Sequence, residues 1–172
     1  DAFSILWEPI MDTYSGEITA VEASLRWVHP ELGNMGPEQF LSNIHDSELM
    51  RDVCAWFLDE ICVQMKKWQD EKMPEIPAYA DLRGFLPHQI DIADLAFQAV
   101  NRVLLPPNCL GIVLTEHTLL QNTDISRKLI RALKTVGIRI LVDDFGTGNS
   151  SISTIKRLPV SAIDVIKIHR SF

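Results

Sequence analysis

The sequence predicts an α/β domain built on a largely parallel sheet, and three observations lead to that class. Short β-prone apolar runs alternate with longer stretches of helical periodicity through most of the chain. The run Ile138–Val142 is apolar and mostly β-branched apart from one Arg, which suits a strand buried on both faces. The N-terminal segment departs from this pattern. Phe3–Met11 and Ile18–Val28 are two β-prone runs joined by the polar turn Asp12–Gly16, which predicts an antiparallel hairpin.

Composition narrows the class of protein. A chain of 172 residues is about one domain long and buries a real core. Hydrophobic residues make up 47% and charged residues 23%, an ordinary globular balance. The net charge of −7 and the lack of a long basic run argue against a nucleic-acid polymer as partner. Cys54, Cys62 and Cys109 lack metal-site spacing, and an odd number of thiols fits a reduced, cytoplasmic chain. Cys54 and Cys62 fall within one helical pattern and read as small core residues. No apolar run reaches the ~20 residues of a membrane span, so no membrane contact is expected of this segment, and no signal-peptide pattern opens it. Its abrupt ends in ordered-looking sequence are those expected of a piece of a longer protein.

Each element follows from local chemistry. In the first strand, Glu8-Pro9 interrupts the apolar run. In the second, Val21, Ala23 and Leu25 fall on one side and Glu22, Ser24 and Arg26 on the other. An acid and a guanidinium on one face suit a metal and a phosphate respectively, or else a weak intrastrand ion pair. Gly36–Phe40 begins a short helix with Pro37 in its first turn. Asp46–Lys72 is a long amphipathic helix with the stripe Leu49, Val53, Trp56, Phe57, Ile61, Met65 and Trp68, read as core and not as a ligand platform. Met73–Pro77 ends it. Ala78–Leu82 is a short strand, Pro87–Val103 a helix stopped by Leu105–Pro107, and Leu110–Thr115 a strand ending in Glu116-His117. Thr123-Asp124 caps a helix with apolar steps Ile125, Leu129, Ile130 and Leu133, closed by Gly137. After the strand Ile138–Val142, Gly146 and Gly148 allow a tight turn, Ser150-Ser151 begin a short helix to Leu158, and Pro159 ends it. Ile163–Ile168 is the last strand, with Lys167 and His169 on one face.

The strongest chemical signal is Asp143-Asp144, placed where a buried strand runs out. Functional groups gather at the carboxyl ends of strands in such folds. Two adjacent acids repel unless a cation or donor compensates them, which points to a divalent metal or, more plainly, to a solvated acidic turn with a helix-capping Asp.

Three blocks carry a family resemblance. Trp7-Glu8-Pro9-Ile10, then Val21-Glu22-Ala23-Ser24-Leu25-Arg26-Trp27 followed by His29-Pro30, then Asp143-Asp144-Phe145-Gly146-Thr147-Gly148 resemble, in order and spacing, the signature blocks of EAL domains. These are the bacterial phosphodiesterases that linearise cyclic di-GMP. The resemblance covers essentially the whole chain. It implies a modified TIM (β/α)₈ barrel whose first strand runs antiparallel, with about six of the eight strands present. It also implies one EAL-like domain over residues 1–172, incomplete at its C-terminal end, with the gap covered by further chain or by another molecule.

The resemblance assigns roles residue by residue. Glu22, Asp143 and Asp144 match metal ligands, and Lys167 matches the lysine that binds the attacking water. Asp81 stands where the family block Asn-Leu-Ser has its metal-binding Asn, and Arg83 replaces the Ser, adding a cation beside the site. Arg26 matches a phosphate-contacting arginine, Ser24 replaces the leucine of the ligand floor, and Glu8 replaces a Gln. Glu116 matches the acid that holds the loop after the double Asp. Two departures weigh most. Val113 stands at a metal-binding Glu, and valine does not coordinate a hard cation. His169 replaces an Asp that helps hold a second metal, and histidine suits Mn or Zn better than Mg. The expected function is therefore a degenerate, non-catalytic EAL domain of cyclic di-GMP signalling, acting as receptor or as regulatory interaction module. The alternative is an active Mg- or Mn-dependent phosphodiesterase giving linear pGpG. The partners implied are cyclic di-GMP and a protein partner or second copy. The location implied is the cytoplasm, alone or as the cytoplasmic part of a membrane-attached signalling protein.

Overall fold

The computed structural model describes residues 3–41, 44, 46–86, 90–121, 123–146, 162–169 and 171. Strands β1 (Phe3–Met11) and β2 (Ile18–His29) form the expected antiparallel hairpin, with Glu8 opposite Glu22 and Ser24 opposite Leu6. Asp12 builds the turn: its carboxylate accepts the N–H groups of Tyr14 at 2.9 Å and Ser15 at 2.7 Å, and Gly16 supplies φ 75°. A third strand, β3 (Gly33–Met35), folds back antiparallel on β2. It was not expected, because three residues carry no readable alternation.

Helix α1 (Pro37–Phe40) leads to the long α2 (Ser47–Asp70). Asp46 caps α2 by accepting from Glu48 N at 2.9 Å and Leu49 N at 3.1 Å. The buried stripe includes Met50, Val53, Cys54, Phe57, Ile61, Cys62 and Met65. Leu49, assigned to that stripe from sequence, is 50% exposed, and Met50 takes the core position in the first turn.

Strand β4 (Ala78–Asp81) follows, then α3 (Ile92–Arg102). The helix starts later than the expected Pro87, because Asp91 caps it by accepting from Asp94 N at 3.0 Å. A short 3₁₀ turn at Pro107–Cys109 feeds β5 (Leu110–Thr115). The chain then turns directly into α4 (Glu116–Gln121), a helix absent from the sequence reading, and α5 (Thr123–Thr135). Gly137, at φ 83°, ends that segment. Strand β6 (Arg139–Phe145) runs through both aspartates instead of stopping before them, and β7 (Val165–Ile168) completes the order. The expected helix Ser150–Leu158 and the turn residue Gly148 lie outside the described residues.

The sheet runs β1-β2-β4-β5-β6-β7, with β3 paired to β2. Every pair from β2 to β7 along that order is parallel. Among the described residues the sheet thus has seven strands against the six expected.

Alternation along each strand creates two faces. One packs under the helices: Ala23, Leu25, Ala80, Ile112, Leu114, Ile140 and Val142 join Phe57, Ile61 and Leu133 in a single large core. The other carries a small apolar floor of Ala20, Tyr79, Val113 and Leu141, flanked by Ile10 and Val165. Gly111 lets Tyr79 lie flat in this floor. A Cβ at position 111 would stand 2.3 Å from a Tyr79 ring carbon.

Candidate functional site

Farther along the same strands, toward their carboxyl ends, the inner face changes from apolar to ionic. Glu22 on β2, Asp81 on β4 and Asp143 on β6 are buried, at 4%, 3% and 6% exposure. Burying three acids together requires compensating charge, and two cations supply it. Lys167 on β7 donates from Nζ to Glu22 Oε2 at 2.9 Å and lies 3.6 Å from Asp143 Oδ2. Arg83, just past β4, grips Asp81 with its fork: Nε to Oδ1 at 2.9 Å and Nη2 to Oδ2 at 2.7 Å. Its Nη1 sits 3.7 Å from both Asp143 Oδ2 and Asp144 Oδ2.

Local backbone chemistry sets these positions. Asp81 also accepts Arg83 N at 3.1 Å, so the carboxylate that ends β4 shapes the turn carrying its own partner. Asp143 Oδ1 accepts Asp144 N at 2.7 Å, and Asp144 adopts φ 55°, which turns the chain sharply beside the acids. Glu116, 3% exposed at the start of α4, accepts Gly146 N at 2.8 Å through Oε2, tying α4 to the turn after the double Asp. Its Oε1 has no hydrogen-bond partner among the described residues.

The electrostatics follow from burial and pairing. Burial pushes the Glu22 carboxyl above its ordinary range, while the Lys167 contact pulls it back in part. Burial works against the Lys167 ammonium, yet its hydrogen bond to Glu22 and the charges of Glu22 and Asp143 leave it harder to deprotonate than a free lysine. The fork on Asp81 holds Arg83 firmly protonated.

The structure thus brings together Glu22, Asp81, Asp143, Asp144 and Lys167. Val113, fully buried, is registered with Asp81 on one side and Leu141 on the other, so methyl groups line this part of the cluster. Among the described residues, no group of three or more His, Cys, Asp and Glu side chains is arranged to hold one ion. His169 turns to Ser171, whose hydroxyl lies 2.7 Å from Nδ1. Glu8, Ser24 and Arg26 lie together on the wall of an adjoining cleft of about 330 Å³, which Asp81 and Arg83 also line. Arg26 Nη1 donates to Leu25 O at 3.0 Å, and Glu22 pairs with Lys167 instead of with Arg26 across the strand.

Sequence reasoning marked Arg83 only as an added cation and missed its grip on the carboxylates. The available signal was the Asp-x-Arg spacing at a strand end, where an Asp that caps its own turn points at the side chain two residues on.

A mostly parallel sheet with helices on one face and charged groups at the strand ends on the other defines a domain of the TIM-like barrel class. Within that class, the profile of the EAL domain family matches residues 1–172, and the chain belongs to this family. It is 34% identical over 166 residues to the bifunctional diguanylate cyclase/cyclic di-GMP phosphodiesterase MucR of Pseudomonas aeruginosa, covering 96% of this chain and 24% of that protein. It is 31% identical to signaling protein YkoW of Bacillus subtilis, covering 100% of this chain and 21% of that one. The solved structure of the MucR phosphodiesterase in complex with c-di-GMP superposes with a TM-score of 0.85 at 32% identity, covering 99% of this chain and 68% of that one. The chain therefore spans about a quarter of the length of the curated relatives it matches. No helix among the described residues is long and apolar enough to cross a membrane.

Proposed function

We propose that this EAL domain is non-catalytic and acts in cyclic di-GMP signalling as a receptor or a regulatory interaction module. One observation carries the reading: Val113, buried and apolar, stands on β5 directly beside Asp81 of β4 and in register with Leu141 of β6, so no acid comes from β5 at this level. Hydrolysis by paired divalent ions needs oxygen ligands that converge from neighbouring strands. Here β5 contributes methyl groups beside Asp81, and Arg83 and Lys167 already engage the carboxylates of Asp81, Glu22 and Asp143. This donor set does not fit a pair of divalent ions.

The name of the MucR relative and its complex with c-di-GMP support cyclic di-GMP as the ligand class to test. Arg26 on the wall of the adjoining cleft is the residue suited to a phosphate. A protein partner or a second copy of the chain is the complementary reading, with the cytoplasm as the compartment where both would act.

Calorimetric titration with cyclic di-GMP, with and without Mg²⁺ or Mn²⁺ and with Arg26→Ala as control, tests this. The expected result is metal-independent binding that Arg26→Ala abolishes, without release of pGpG. Turnover that requires metal would overturn the non-catalytic reading. Absence of binding in the full-length protein would remove the receptor role and leave the interaction module.

A further inference from the structure

We infer that Arg83 is a tethered substitute for a divalent cation: its guanidinium holds together the carboxylates of two strands and makes the cluster indifferent to metal. The inference stands on geometry and does not depend on whether a cyclic dinucleotide binds.

Arg83 touches three carboxylates that come from two places in the sheet. Both oxygens of Asp81 at the end of β4 take its fork at 2.9 and 2.7 Å. The remaining nitrogen, Nη1, lies 3.7 Å from an oxygen of Asp143 and 3.7 Å from one of Asp144 at the end of β6. A planar group with five N–H donors suits this bridging task, and its charge is not lost at any ordinary pH. Lys167 extends the same logic by joining Glu22 on β2 to Asp143. The result is a continuous ionic chain, Glu22–Lys167–Asp143–Arg83–Asp81, that ties β2, β7, β6 and β4 together. The intervening strand β5 contributes Val113 beside Asp81 and Thr115 beside Asp143, neither of them charged.

The guanidinium is also placed to exclude ions. It lines the cleft together with Asp81, while Asp143, outside the cleft lining, is nearly sealed from solvent. A divalent ion that reaches Asp81 from the cleft finds both carboxylate oxygens already taken by the fork. Removing the guanidinium would strip Asp81 of its fork and leave Asp143 with Lys167 alone of its two cations, opening the pair to a hard ion.

The test is metal rescue of the full chain. Thermal unfolding of the wild type is expected to be the same in EDTA and in millimolar Mn²⁺. Arg83→Ala is expected to melt lower than wild type in EDTA and to recover by about 2–4 °C or more when Mn²⁺ is added. Arg83→Lys, which keeps a charge but lacks the fork, is expected to fall between the two and to show no Mn²⁺ response. Equal Mn²⁺ stabilisation of wild type and Arg83→Ala would overturn the inference, as would an Arg83→Ala variant with neither loss nor rescue. Electron paramagnetic resonance of Mn²⁺ added to the wild type keeps the idea falsifiable if the variants fail to fold. Unchanged free-ion signal is expected, and one ion bound more tightly than ~0.1 mM would refute it.

Discussion

On the helix-covered face of the sheet, Ala23, Leu25, Ala80, Ile112 and Ile140 pack without a charged neighbour between them. On the opposite face the same strands carry Glu22, Asp81 and Asp143 above a small floor of Ala20, Tyr79, Val113 and Leu141. The first face is held by removing apolar area from water, which is non-directional and tolerant of rearrangement. The second is held by directional ion pairs whose partners come from elements far apart in sequence, such as Lys167 and Glu22. One face therefore supplies most of the stability, and the other is free to specialise for ligands at modest cost to the fold.

The contrast can be broken most directly on the adjacent strands β4 and β5, where neighbouring residues serve different faces. Ile112→Ala, in the helix-side core, is expected to cost about 2–5 kcal/mol in urea unfolding. On the inner face, Asp81→Ala strips Arg83 of its fork while leaving that arginine partly solvated, and is expected to cost about 1–3 kcal/mol. If Asp81→Ala proved as damaging as Ile112→Ala, the inner face would be a structural core in its own right and the division drawn above would fail.

A smaller effect comes from pH. Burial raises the thiols of Cys54 and Cys62, both on the helix side, from 9.0 to about 12. Because the folded values exceed the unfolded one, their contribution is complete below pH 9 and drains away as pH rises toward 12. Moving from pH 8 to pH 9.5 is expected to lower stability by on the order of 1 kcal/mol, and replacing both cysteines with alanine should remove most of that loss, leaving the part from Cys109, whose thiol is also raised by burial. The raised Lys167 acts in the same direction on the inner face, but its loss begins only above the ordinary lysine value of 10.5. Chemical denaturation carried on above pH 10.5 separates the faces, since the cysteine variant would keep the later loss.

The helix-side face was largely readable from the chain. Periodicity located α2 and the stripe through Val53, Phe57, Ile61 and Met65, and the β-branched run located β6. Errors there were local. Met50 takes the place given to Leu49 because it lies three and four residues before the buried Val53 and Cys54, and β3 and α4 were too short to carry a pattern. The candidate site was readable as residues but not as an arrangement. Resemblance to a family singled out Glu22, Asp81, Asp143, Asp144 and Lys167, and alternation placed Glu22 opposite Val21 and Ala23 on β2. Nothing local reveals that Lys167 reaches Glu22, or that Arg83 reaches from β4 to β6 across the level of Val113. Those contacts depend on strand register and rotamer, which only the folded sheet determines.

The pairing of Tyr79 with Gly111 has a consequence for how this sequence can change over time. A side chain at position 111 would collide with the aromatic ring at 2.3 Å, so any replacement of the glycine requires a smaller residue at position 79. Neither substitution is neutral by itself: shrinking Tyr79 first opens a void in the floor, and enlarging Gly111 first creates a clash. The two positions form an evolutionary ratchet, and across related sequences they should vary as a couple, with an aromatic at one accompanied by glycine at the other.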